Sequence, residues 1–78
     1  MDKLKQIFSS VLGIDSKNIN EQTSPGNTPS WDSLNAIILV TEIEKAFDMK
    51  FEFAEVMKVN NFFDVINLLK TKGIKLDE

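Results

Sequence analysis

The chain contains no cysteine and no histidine. That double absence excludes disulfides, the usual zinc ligands, cysteine nucleophiles and every Ser-His-Asp or Cys-His arrangement, so a self-contained catalyst is not expected. Also missing are a run of about 18 uncharged apolar residues, which a bilayer span needs, and the basic-then-apolar start of a secretory signal. The expectation is a cytoplasmic protein without a membrane span. No lysine or arginine cluster occurs either: 9 basic residues are scattered among 12 acidic ones for a net charge of −3. This argues against a surface for nucleic-acid backbones and suits basic protein partners. An EF-hand-like calcium loop starting at Asp15 is excluded because the central glycine is lacking and the twelfth position is Gly26 instead of an acid.

What remains is a chain of 78 residues that is 42% apolar, read as one small domain spanning residues 1–78 whose core must be densely apolar to hold. Leu4, Ile7, Phe8, Val11 and Leu12 follow the i, i+3, i+4, i+7, i+8 stripe of a one-sided helix. That stripe predicts a helix over residues 2–12, stopped by Gly13. Residues 15–30 are turn and capping types, with Pro25, Gly26 and Pro29 excluding a regular helix, and Ile14 and Ile19 are the only large apolar residues around them. A loop this long in a small domain is commonly functional.

The segment Trp31-Asp32-Ser33-Leu34 closes that loop and opens an uninterrupted periodic stretch from Ser33 to about Phe47. Asp32 is expected as N-cap and Ser33 as the first helical residue, with Trp31 placed to pack back on Ala36. A serine hydroxyl thereby stands at a helix start, where unpaired N–H groups and the helix dipole favour an attached anion. Beyond Asp48, a short helical turn is predicted near residues 54–58, with Phe51 as a core plug. Asn60-Asn61 then caps a last helix in which Phe62, Val65, Ile66 and Leu69 repeat the stripe until Gly73, leaving residues 74–78 as a fraying tail. Three longer helices, one short helix and a long first loop make an all-α fold, a small bundle.

At about 100° per residue the second helix carries two apolar groups. Ala36, Leu39, Val40, Ile43 and Phe47 form the core arc, with Ile37 on its rim. Leu34 and Ile38 lie opposite, in line with Thr41 and Lys45. Lone exposed aliphatics are ordinary on proteins, but this pair stands beside Ser33, which makes contact with a partner or a tethered substrate the alternative reading. Phe51, Phe53, Val56, Met57 and Val59 make the third-helix region apolar. They are readable as core packing, or as a pocket wall or docking patch, with Phe53 and Met57 four apart on one helical side.

These residues together resemble the acyl carrier protein family across nearly the whole chain: helix one, the long loop, Asp32-Ser33-Leu34 at the start of helix two, the Ile-Leu-Val run ending in Phe47-Asp48, a short third helix and a final helix after Asn60-Asn61. The resemblance implies an acyl-carrier-protein-like four-helix bundle. It further implies that Ser33 accepts 4′-phosphopantetheine from coenzyme A through a phosphopantetheinyl transferase, and that the arm's thiol carries acyl groups as thioesters. Loading by a ligase or acyltransferase, and use by synthase or transferase enzymes, would then belong to partners of a monomeric carrier. Asp32, Leu34, Ile38, Thr41, Glu42, Lys45, Phe53 and Met57 are the implied recognition residues. Trp31 before the motif, Asn35 where an acid is usual and Ile38 in place of a glutamate depart from the fatty-acid-synthesis type. They resemble specialised carriers of lipid, polyketide or polysaccharide pathways. An aminoacyl or peptidyl carrier of nonribosomal-peptide type, and an unmodified interaction module on the same fold, stand as the alternatives.

Overall fold

The computed structural model describes residues 2–76. Among them are four α-helices: α1 (Asp2–Leu12), α2 (Ser33–Phe47), α3 (Phe53–Met57) and α4 (Phe62–Thr71). Helix α1 buries Leu4, Phe8 and Leu12, three members of the predicted stripe, while Ile7 and Val11 pack at its margins. Gly13 ends it at φ +69°, a left-handed conformation that costs glycine nothing because it has no Cβ. Lys3 Nζ donates to the Ala46 carbonyl at 2.7 Å and lies 5.0 Å from the Phe47 ring centroid. One side chain thus joins the start of α1 to the negative end of the α2 dipole.

The first loop is less irregular than its composition suggests. A single 3₁₀ turn, Ser16–Asn18, is capped by the Asp15 side chain, a local geometry that needs only three residues and is compatible with the prolines lying further on. Ile19 is buried, as are Thr23 and Thr28. Side chains satisfy the loop backbone: Thr23 Oγ1 accepts from Asn20 N–H, and Asn27 Oδ1 accepts from Ser24 N–H, both at 2.9 Å. The loop in turn caps α4, since Phe62 N–H donates to the Thr23 carbonyl at 2.8 Å while Asn61 Oδ1 accepts from Asp64 N–H. Two otherwise unpaired donors at the start of α4 are thereby satisfied.

The core collects Leu4, Phe8, Leu12, Ile19, Trp31, Leu39, Ile43, Phe62, Val65, Ile66 and Leu69. At its centre Phe8 meets Trp31 edge-on at 5.2 Å and Phe62 at 4.8 Å between ring centroids, the T-shaped geometry that aromatic quadrupoles favour. Helix α3 starts one residue earlier than the sequence suggests, because Glu52 and Glu55 form a reciprocal capping box around it. The tail corrects a second expectation: Ile74 N–H donates to the Leu69 carbonyl at 3.0 Å, and Ile74 and Leu76 pack against the core. Apolar burial outweighs fraying for those residues; positions 77 and 78 lie outside the described residues.

Candidate functional site

Helix α2 begins as its capping residues dictate. Asp32 Oδ1 accepts from Asn35 N–H at 2.9 Å, and the Asp32 carbonyl accepts from Ala36 N–H at 2.8 Å. The N–H groups of Ser33 and Leu34 have no partner among the described residues. Ser33 is the first helical residue and is exposed. Its hydroxyl therefore stands beside two open donors at the positive end of a dipole, which suits a phosphate ester. Trp31 fixes the approach to this point from below, being buried against Phe8. Asn35 fixes it from the side by donating Nδ2–H to the Ser30 carbonyl at 2.7 Å, a bond that an ionised carboxylate at this position could not give.

Next to Ser33 opens a cavity of about 400 Å³, bounded by α1, α2, α3, α4 and the loop. Its wall is almost wholly apolar: Phe8, Trp31, Ala36, Leu39, Val40, Ile43, Phe51, Val56, Val59, Val65 and Leu68. Pro25, Asp32 and Ser33 complete the lining and are its exposed members, so the serine stands at the mouth. Phe51 is both the expected plug and part of this wall; its N–H donates to Glu44 Oε2 at 2.9 Å, which ties the approach to α3 onto α2. An ion pair of 2.9 Å between Lys72 and Glu55 ties α3 to α4. Hydrogen bonding from the Glu52 N–H, then the Lys72 ammonium, holds the Glu55 carboxyl below the ordinary carboxylate range, with Lys58 adding to the effect.

The remaining residues singled out in the sequence divide into separate groups. Leu34, Thr41 and Lys45 are exposed on the outer side of α2. Ile38 and Glu42 are exposed as well and border a groove beside α1, shared with Lys3, Gln6, Ile7, Ser10, Val11 and Ala46, where Ile38 is 38% exposed. The strongly exposed neighbour of Leu34 (68%) is Ile37 (66%); the core rim expected for Ile37 is not observed. The core of the bundle covers α2 at Leu39 and Ile43, and the only signal for Ile37 was its place at the edge of the arc. Core packing likewise fails for Phe53 and Met57, which are 79% and 66% exposed, whereas Phe51, Val56 and Val59 line the cavity. The apolar third-helix region thus serves as cavity wall on one side and as open surface on the other.

An exposed serine at a helix start thus stands beside an apolar chamber in an all-α bundle. Residues 2–69 match the family model described as the phosphopantetheine attachment site. The chain is 33% identical over 69 residues to the acyl carrier protein of Clostridium acetobutylicum, covering 88% of this chain and 90% of that protein. It is 29% identical over 70 residues to that of Thermotoga maritima, covering 90% and 86% respectively. The solution structure of the holo acyl carrier protein of Geobacter metallireducens superposes with a TM-score of 0.81 at 32% identity, over 91% of this chain and 82% of the other. The chain belongs to the phosphopantetheine-binding acyl carrier protein family. It is a non-catalytic carrier whose cofactor is 4′-phosphopantetheine.

Proposed function

We propose that Ser33 is the attachment residue and that the single domain formed by residues 1–78 carries acyl chains between enzymes of a specialised lipid, polyketide or polysaccharide pathway in the cytoplasm, as a monomer. The observation that carries this reading is the exposed Ser33 at the mouth of the apolar cavity. When bound, the phosphopantetheine arm supplies the thiol that this sequence does not encode and holds the acyl group as a thioester. The chain's own residues then do two things. The Ser33 and Leu34 N–H groups at the start of α2 favour the phosphodiester monoanion by about 0.3–1 kcal/mol, against some repulsion from Asp32. Val40, Val56 and Leu68 take an aliphatic chain out of water within a volume typical of small-ligand pockets.

The apolar wall favours an acyl cargo over an aminoacyl one, because a charged α-amino group in that chamber would meet little to hydrogen-bond. Supporting a dedicated pathway are Asn35, which fastens the loop where an acid would not, and the exposed apolar side chains flanking Ser33. Loading by a ligase or acyltransferase and use by synthase or transferase enzymes follow from the same reading. The test is incubation with a phosphopantetheinyl transferase and coenzyme A, followed by intact-mass measurement. Wild type gains one phosphopantetheine and Ser33→Ala gains none; an unmodified wild type would instead support an interaction module on the carrier fold.

A further inference from the structure

The buried polar side chains beneath Ser33 are bonded, with one exception. Thr23 Oγ1 accepts from the Asn20 N–H, and Thr28 Oγ1 donates to Asn27 Oδ1. Trp31 is only 7% exposed, yet its ring N–H has no acceptor among the described residues. A buried indole N–H ordinarily finds one. No side-chain nitrogen or oxygen that is fully sealed lacks a partner among the described residues, so this N–H keeps contact with an open space. The space that Trp31 borders is the chamber beside Ser33.

The other side chains of the wall offer a cargo almost nothing polar. Ser33 brings the hydroxyl that becomes the ester, and Asp32 a carboxylate that only accepts and already caps α2. The remaining lining side chains are hydrocarbon. A methylene group is drawn out of water by such a wall, whereas an oxygen loses its hydration there and needs a donor in return. The Trp31 ring N–H is the side-chain donor that the wall keeps free once Ser33 is esterified. It belongs to the residue two positions before Ser33, and so to the end of the chamber at its mouth.

We propose that Trp31 selects the cargo: its ring N–H donates to an oxygen of the acyl chain, so the chamber admits acyl groups oxygenated close to the thioester, such as 3-oxo and 3-hydroxy acyl groups. This rests on Ser33 as the attachment residue. A chain entering by the mouth tail first leaves its thioester end beside Ser33, where Trp31 stands, and its hydrocarbon tail deeper in the wall. The single donor then matches a single acceptor, and the oxygen is not left unpaired. A donor cannot serve an ammonium group, so the same residue leaves an aminoacyl cargo outside.

The experiment loads the apo carrier with a purified phosphopantetheinyl transferase from coenzyme A and from octanoyl-, 3-oxooctanoyl- and 3-hydroxyoctanoyl-coenzyme A. The chain has one tryptophan, so nitrogen-15 labelling gives one indole N–H resonance to follow. Its exchange with solvent is expected to be about two- to tenfold slower in both oxygenated forms than in the octanoyl and unacylated forms, the range that one net hydrogen bond supplies. Trp31→Phe keeps an aromatic ring and removes the donor. It is expected to speed hydroxylamine cleavage of the two oxygenated thioesters by about the same two- to tenfold and to leave that of the octanoyl thioester unchanged, which also reports an intact chamber. An indole N–H indifferent to every cargo, turned to outside solvent or onto the Phe8 ring, overturns the proposal. Equal slowing in the unacylated or octanoyl form also overturns it, assigning the bond to the arm or to the thioester carbonyl, and a Trp31→Phe effect equal for all three thioesters reduces Trp31 to packing. Absence of any mass gain on loading overturns the Ser33 assignment itself and this proposal with it, and is told apart because it precedes every cargo comparison.

Discussion

Asp32 has two roles that substitution can separate. Its carboxylate caps α2 through the Asn35 N–H, and its charge stands next to the hydroxyl that a transferase must approach. Asp32→Ala removes both and is expected to cost about 1 kcal/mol of stability, the usual loss for an N-cap. Asp32→Asn keeps a capping oxygen and should leave the urea midpoint nearly unchanged, yet it should slow modification if the carboxylate serves the enzyme. Equal rates for Asn and Asp would restrict the residue to capping. Asp32 and Ser33 are legible in the sequence because capping is a local rule, whereas the ring that Trp31 meets belongs to Phe8 on α1, outside any local pattern. Ile37 and Ile38 are not legible either. They are adjacent on α2, and which of them is shaded depends on where α1 lies, a fact carried by no local pattern.

Among the elements, α3 is the one whose stability depends most on polar contacts. It is five residues long, too short to persist on helix propensity. Its capping box and the Glu55–Lys72 pair hold it between the cavity and α4. Because the Glu55 carboxyl is held below the ordinary carboxylate range, its contribution is complete above the unfolded-state value and is lost as pH falls through the lowered folded-state value. Amide protection factors in α3 should therefore decline as pH drops below about 4. In Glu55→Gln they should already be reduced at neutral pH and show little of that acid-dependent decline. A wild-type α3 whose protection is indifferent to acid would remove Glu55 from this role. The existence of α3 is suggested by FEFAEVMKV, but the partner on α4 is invisible there, since Lys72 lies 17 positions beyond Glu55. The first loop is similar: its turn residues are evident, while its carbonyl bond to Phe62 N–H joins segments that only the assembled fold brings together.

For the molecule as a whole, the helical stripes and their stops specify the bundle, and the aromatic group Trp31, Phe8 and Phe62 joins three separate segments beneath the site. Phe8 has no exposed surface. Phe8→Ala is expected to cost about 3–5 kcal/mol, a large share of the roughly 4–12 kcal/mol that 78 residues ordinarily provide. Chemical unfolding should show a correspondingly lower midpoint, whereas a cost below about 1 kcal/mol would mean that the group does not bear on stability. The cavity was the least legible part of the fold. Its wall takes residues from α1, α2, α3, α4 and the loop, and an empty volume is a property of how helices diverge instead of which residues face inward.

Ser33 alone is expected to carry the prosthetic group. Three other serines, Ser16, Ser24 and Ser30, lie in the preceding loop within the same turn-rich stretch, so total mass by itself does not locate the modification. Fragment-ion mass spectrometry of the protein after treatment with transferase and coenzyme A does. One phosphopantetheine is expected on Ser33 and none on Ser16, Ser24 or Ser30; a modified loop serine, or a wild-type chain without any added group, would overturn the assignment of Ser33.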